Sequence, residues 1–219
     1  MSKNIDLSDS IFIQDINDKD IIKEKLNIIN IEKPVKTNDI YYSNINLMFQ
    51  TSKINIHNIN KKVNKITLNI DNIMEEFFEL FDKKIMEILV DKSSELFEDN
   101  ISSEEIEDIY YSSIENSKSN VKIKLNLNKK LVIFNKSKTL LNLDDLEIND
   151  EIICLIKCSK IIYYKNYCRP YWEVLQIKHK KSKELDLKQY LIREDENDNY
   201  KSDNDNNDDI LLKELKIKN

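Results

Sequence analysis

Glu151-Ile152-Ile153-Cys154-Leu155-Ile156-Lys157, then Ile161-Ile162-Tyr163-Tyr164 and, past an aromatic turn, Trp172-Glu173-Val174-Leu175-Gln176-Ile177-Lys178, form the stretch that decides the fold. The first run is continuously apolar and reads as a buried strand. The second extends or follows it, and the third is the last strand of the chain. Between them, residues 163–172 hold five aromatic side chains and the cations Lys165 and Arg169, a composition suited to a hairpin that meets a ligand.

Upstream, Ile123, Leu125 and Leu127 alternate with Lys122, Lys124 and Asn126, and residues 130–134 continue the strand pattern. Before residue 116 the period changes. Ile73, Phe77, Leu80, Phe81, Ile85, Ile88 and Leu89 recur at helical spacing, with Asn72 as N-cap and Glu75 three residues on. Ser102 and Glu105 repeat that arrangement ahead of a shorter helix ending near residue 111. Two more strands precede the helices, one around Ile45, Leu47 and Phe49 and one around Ile66, Leu68 and Ile70, with residues 58–62 turn-like between them. The sum is mainly β with an α insertion (α+β). It predicts an OB-like small barrel of five to six strands with two helices inserted after the second strand. Residues 1–36 read as a loosely ordered N-terminal arm with a short helix near residues 19–26, residues 37–185 as the barrel domain, and residues 186–219 as an acidic disordered tail with a short apolar tip.

Composition removes several function classes. The chain has no Gly. A P-loop, a dinucleotide fingerprint and a nucleophile elbow all need one where the backbone turns sharply or touches the ligand. Tight turns must instead use Asn and Asp, which tolerate the left-handed region best after Gly. Cys154, Cys158 and Cys168 are an odd set with no recognisable signal peptide, which argues against a disulfide framework. Cys154 and Cys158 on one strand would stand about 13 Å apart, too far to share a metal. His57 and His179 have no Cys or His at ligand spacing, and no cofactor is expected. Glu75, Glu79 and Asp82 read as the solvated side of an amphipathic helix, so no catalytic constellation is expected either. No apolar run reaches the roughly 20 residues a membrane span needs. The chain reads as soluble and intracellular.

The net charge is −6, but it is sorted along the chain. Residues 194–209 hold eight acids and one base, and residues 71–115 hold fifteen acids and three bases. Residues 118–138 hold seven lysines and no acid, and residues 157–183 carry eight cations against Glu173 alone. The predicted strands are thus basic where the helices are acidic. Aromatic rings stack bases without demanding a sequence, and cations neutralise phosphates. The candidate nucleic-acid-binding residues are Tyr41, Phe49, Lys53, Lys122, Lys124, Lys129, Lys130, Lys157, Tyr163, Tyr164, Lys165, Tyr167, Arg169, Trp172 and Lys178. Strand lysines that merely guard sheet edges, and a Trp172 that packs the barrel end, are the structural alternatives.

The succession Ile40-Tyr41-Tyr42, Leu47-Met48-Phe49-Gln50-Thr51, the Phe-rich helix of residues 73–81, the acidic residues 103–110 and the final strand from Trp172 to Lys178 resemble the OB-fold single-stranded DNA-binding proteins of nucleocytoplasmic large DNA viruses. Those are distantly similar to the replication single-strand binders of short-tailed phages. The resemblance spans about residues 38–180. It departs at Ser52-Lys53-Ile54 and Arg169-Pro170-Tyr171, where the family places Pro, Phe-Gly and Gly. It implies a non-catalytic single-stranded DNA binder in viral replication, repair or recombination. In it the acidic tail would compete for the basic groove and recruit replication or repair proteins. RNA is not told apart from DNA by these residues, and a homodimer stays open. The alternative from another class is a structural or scaffold protein, such as a virion component or transcription accessory factor, using the barrel for protein contacts.

Overall fold

The computed structural model describes residues 10–38, 40–116, 120–164 and 167–180. Its elements in chain order are β1 (Ile11–Ile13), α1 (Lys19–Asn27), β2 (Val35–Thr37), β3 (Ile40–Gln50), β4 (Ile54–Asn60), β5 (Lys65–Asn69), α2 (Asn72–Asp91), α3 (Ser93–Phe97), α4 (Ser103–Ile109), β6 (Ile114–Asn116), β7 (Val121–Phe134), β8 (Leu140–Leu141), β9 (Glu151–Tyr164) and β10 (Tyr167–Lys180). Five of the strands close a ring in the order β4-β5-β7-β10-β9 and back to β4, where Ile54 and Asn55 pair with Ile152 and Glu151. Within that ring only β7 and β10 run parallel. The result is a closed OB-like barrel, mostly β, with helices inserted after its second strand. β3 lines up along β9 above β4. Thr51 joins the two strands, its hydroxyl accepting from the Cys154 N–H at 2.9 Å.

Alternation explains why these residues make these strands. Ile152, Cys154, Ile156 and Cys158 of β9 are buried, as are Ile66 and Leu68 of β5 and Ile123 and Leu125 of β7. Their odd-numbered or even-numbered neighbours face outward. β9 is one strand of 14 residues, where the sequence divides it at residues 158–160. The cause is a bulge: Lys160 pairs with Tyr171 and Cys158 with Trp172, leaving Ser159 unopposed. Another bulge, between Ile56 and Asn58, lets β4 run to Asn60, so the expected turn at 58–62 falls instead at residues 61–64.

α2 lies over the aromatic end of the barrel core. Phe77, Phe78 and Phe81 meet Phe49 and Trp172, with ring centroids of neighbouring pairs 4.5 to 5.9 Å apart. Burial of each of these five side chains contributes roughly 1.5–3 kcal/mol. The helix starts one residue earlier than its sequence suggests. Asp71, rather than Asn72, caps it, accepting from the Met74 N–H at 2.9 Å while its other oxygen accepts from the Ser52 hydroxyl. Ser102 and Glu105 make the reciprocal capping pair expected for α4.

Residues 10–36, read in the sequence as an arm, contribute β1, parallel to β3, as well as α1 and most of β2. Ile13, Ile16, Ile22, Leu26, Ile29 and Ile31 belong to the core cluster. Without glycine, left-handed backbone falls on Asn38, Asn64 and Asn149, as the turn chemistry requires, and also on Glu98 and Lys138. The acidic segment 186–219 lies outside the described residues.

Candidate nucleic-acid interface

Directly paired residues on neighbouring strands share a face, so the register fixes what the barrel shows to solvent. One outward row runs Asn44 (β3), Lys160 (β9), Tyr171 (β10). The next toward the hairpin tip is Tyr42, Ile162, Arg169, followed by the Tyr164–Tyr167 pair. On the other side, Lys157 stands opposite Glu173, which neighbours Asn126, which pairs with Lys65. Lys124 pairs with Thr67, and Lys122 with both Asn69 and Glu115. The strands of this wall bring six cations, Lys65, Lys122, Lys124, Lys157, Lys160 and Arg169, against the carboxylates Glu115 and Glu173, with Glu32 bonded to Asn44 at its β3 edge. It is therefore strongly positive although the chain is not.

The rings and cations of the wall are interleaved. The Lys160 ammonium sits 5.3 Å from the Tyr42 centroid and 4.7 Å from that of Tyr171. The Arg169 guanidinium lies 5.8 Å from Tyr167. Tyr167 in turn meets Tyr164 at 5.6 Å and Tyr111 at 5.7 Å. Partial burial raises the Tyr171 hydroxyl pKa, as does the neighbouring Glu173, while Arg169 opposes them. The ring therefore stays protonated and neutral at physiological pH. Such contacts contribute about 0.5–2 kcal/mol each and hold flat apolar faces at a solvent boundary.

A polar cleft of about 210 Å³ opens in this wall, lined by Lys65, Lys124, Asn126, Arg169 and Tyr171 together with residues 112, 113 and 115. Its far side is the segment 110–113, which runs beside β10, with the Tyr111 N–H donating to the Cys168 carbonyl at 2.8 Å. Asp82 holds that segment. Its buried carboxylate accepts from the Tyr110 hydroxyl (2.8 Å), the Ser112 hydroxyl (2.8 Å), the Ser113 N–H (2.7 Å) and the Ser113 hydroxyl (2.6 Å). The Trp172 indole N–H then donates to Ser113 Oγ at 2.8 Å. Burial raises the Asp82 pKa, outweighing four hydrogen bonds that act the other way. The solvated reading of Asp82 is thus corrected. It follows Phe78 by one helical turn and faces the protein, where its four donors offset part of the cost of burial.

Of the residues singled out from sequence, Lys122, Lys124, Lys157, Tyr164, Tyr167 and Arg169 fall on this wall. Phe49 does not, and Trp172 only helps line the cleft: they are 0% and 3% exposed, because α2 packs its phenylalanines against them. Tyr163 and its partner Tyr41 project to the opposite face. There Tyr163 meets Phe97 at 5.3 Å and Tyr41, 45% exposed, has Lys36 5.4 Å from its ring. Lys178 lies nine residues along β10 from Arg169, about 30 Å away at strand rise. Lys53 is at that far end too, close enough to lower the pKa of Lys180. Lys129 and Lys130 are exposed further along β7, Lys129 beside Leu131 and Leu141. Lys165 lies outside the described residues. Sequence reasoning left Lys65, Asn126, Lys160 and Tyr171 out of the candidate set; Tyr42 entered the reading only as part of a second aromatic platform with Tyr41 and Phe49. Counting parity back from the buried Trp172 places Tyr171 outward, but Lys160 needs the bulge at Ser159.

The groups that carry other chemistries are tied up. Burial pushes the Cys168 thiol up to about 12 and those of Cys154 and Cys158 higher still, so all three stay protonated. His179, isolated in sequence, pairs with buried Asp150 at 2.8 Å. Among the described residues, no three His, Cys, Asp or Glu side chains gather as a metal site, and no helix is long and apolar enough to cross a membrane.

Residues 52–193 match the model of a family of unknown function, DUF5871. The chain belongs to that family. The DUF5871 match begins after β3, so Tyr42 and Asn44 lie outside the matched residues while the cleft lies within them. No curated protein sequence matches the chain. Among solved structures it is similar to the single-stranded DNA-binding protein from bacteriophage Enc34 in complex with ssDNA, at 11% identity over 69% of this chain and 96% of that one, TM-score 0.43. It is also similar to gp2.5, a single-stranded DNA binding protein encoded by bacteriophage T7, at 11% identity over 71% and 98%, TM-score 0.41.

Proposed function

We propose that this DUF5871 protein is a non-catalytic binder of single-stranded DNA that acts in viral genome replication, repair or recombination. The observation that carries the reading is the wall of Tyr42, Lys160, Tyr171, Arg169 and Tyr167, where ring faces alternate with cations over β3, β9 and β10. A duplex buries its base faces in its own stack, whereas a single strand offers bases to the rings and phosphates to the cations together. Each stacked base contributes about 1–3 kcal/mol. The binding residues of this reading are Tyr42, Lys65, Lys122, Lys124, Lys157, Lys160, Tyr164, Tyr167, Arg169 and Tyr171. Sequence charge adds the acidic segment 194–209 as an electrostatic competitor, with the apolar residues after it as a hook for replication or repair proteins.

Titration of a fluorescent oligo-dT by the full chain tests this. About four to six neutralised phosphates give a log–log salt slope of roughly −3 to −4, so affinity should fall about 50- to 300-fold between 50 and 200 mM salt. Duplex of the same length should bind more weakly, and a chain lacking residues 194–219 more tightly. Binding that ignores salt, or that prefers duplex, rules the reading out.

A further inference from the structure

The cleft contains its own anion. Glu115 Oε1 lies 2.7 Å from Lys124 Nζ, and in the β6–β7 register Glu115 stands directly opposite Lys122. One carboxylate therefore sits between two lysines, at the place where β6 gives way to β10 alongside β7. Lys65 and Arg169 line the same cleft, and Tyr171 offers a ring at its edge. The Asn126 side-chain N–H₂ group is committed to the Trp172 carbonyl at 2.9 Å, which leaves its oxygen turned away from that bond. Glu115 is not loosely placed. Two residues before it, Ser113 is fastened to Asp82 and Trp172, and Ile114 pairs with Ile123.

The geometry points to a seat for one backbone phosphodiester in this cleft, held by Lys65, Lys124 and Arg169, with Glu115 as a built-in competitor that occupies Lys124 until a strand arrives. This rests on the single-strand reading above and adds the regulation of that site. A phosphate and a carboxylate offer the same oxygen geometry to an ammonium group, so they exclude one another there. The Glu115–Lys124 pair is roughly half exposed on both sides, which keeps it weak enough to exchange. It also lowers affinity for every isolated phosphate, so a ligand must engage neighbouring rings and cations at once to displace it. A free nucleotide or inorganic phosphate would be rejected where a polymer is accepted.

The test compares oligo-dT binding at 50 mM salt for the full chain and five variants. Glu115→Gln should bind about 3- to 10-fold more tightly, the size of an exposed ion pair plus the repulsion removed. Glu147→Gln, which makes the same change of charge at an exposed position away from the cleft, should stay within about 1.5-fold. In a Lys124→Ala background the Glu115→Gln gain should shrink to the repulsion alone, about 2-fold or less, because the ion pair is gone while Lys122 still stands opposite. A Glu115→Gln chain that binds no better, or a gain that persists in full without Lys124, overturns the competitor. If Arg169→Ala still weakens binding in that case, the single-strand reading survives alone. If the parent chain fails to bind oligo-dT, both fall together.

Discussion

The β9–β10 hairpin has two halves that the sequence makes alike and the fold makes different. Toward the tip, Lys160 and Arg169 lie against Tyr42, Tyr171 and Tyr167. Toward the far end Lys178 and Lys180 bring cations too, but Lys180 faces Glu151 at 3.6 Å and Lys53 crowds it. Among the described residues, the rings that meet a cation lie against Lys36, Lys160 and Arg169, not against those far-end lysines. Positive charge alone attracts any polyanion. Charge with an adjacent ring face selects one whose bases are unstacked. The buried polar anchors differ too: the tip half is braced by Asp82 through Ser113 and Trp172, the far half by the Asp150–His179 pair.

The largest expected effect breaks the comparison if it fails. Replacing Lys160, Arg169 and Tyr171 together by Ala should weaken oligo-dT binding by about 100- to 1,000-fold, from one lost stacking platform and two lost phosphate contacts. The matched triple Lys53→Ala, Lys178→Ala, Lys180→Ala should cost no more than about 5-fold. Fluorescence anisotropy at fixed salt decides it, and equal losses would mean that charge acts without the rings.

A smaller effect probes the anchors. Asp82→Asn cannot accept all four donors and should destabilise the chain by about 1–3 kcal/mol in urea unfolding, weakening oligo-dT binding as the tip half loosens. His179→Ala should cost comparable stability at the far half and leave binding of the folded protein within about 2-fold. The sign with pH follows from the raised Asp82 pKa. Protonated Asp82 suits the fold better than the charged form, so its contribution is complete below the ordinary value of 3.8 and declines as pH rises through the folded one. The stability gap between the parent and Asp82→Asn should therefore narrow as pH rises above about 4, and a widening gap would mean the four donors outweigh burial. Smallest is Lys138→Gly, in the turn after β7. Its φ of 62° favours glycine, and the change should raise stability by about 0.5–1 kcal/mol while leaving oligo-dT affinity within about 1.5-fold.

Barrel and helix order were legible because alternation and helical spacing are strong over residues 65–70, 73–90 and 122–127. The site was half legible. Tyr167 and Arg169 could be placed from their outward parity and the aromatic turn, but parity counting fails across Ser159, so nothing in the sequence marks Lys160 as outward or separates Tyr163 from its neighbour Tyr164. Phe49 and Trp172 carry no mark in the sequence that separates a stacking ring from a core ring. Only the facing phenylalanines of α2 decide that. Asp82 was legible in principle, since Phe78, Phe81 and Ile85 flank it on the same helical face.

The unopposed Ser159 is a reading-frame device written in backbone. Drawing that residue into the ladder opposite Tyr171 would pass every following side chain of the strand through the sheet, turning Lys160 and Ile162 inward and sending Ile161 and Tyr163 out to water, whereas deleting it would leave their faces as they are. A polyanion-gripping surface thus depends on one residue staying out of the ladder, with the composition, charge and length of the chain the same in either register.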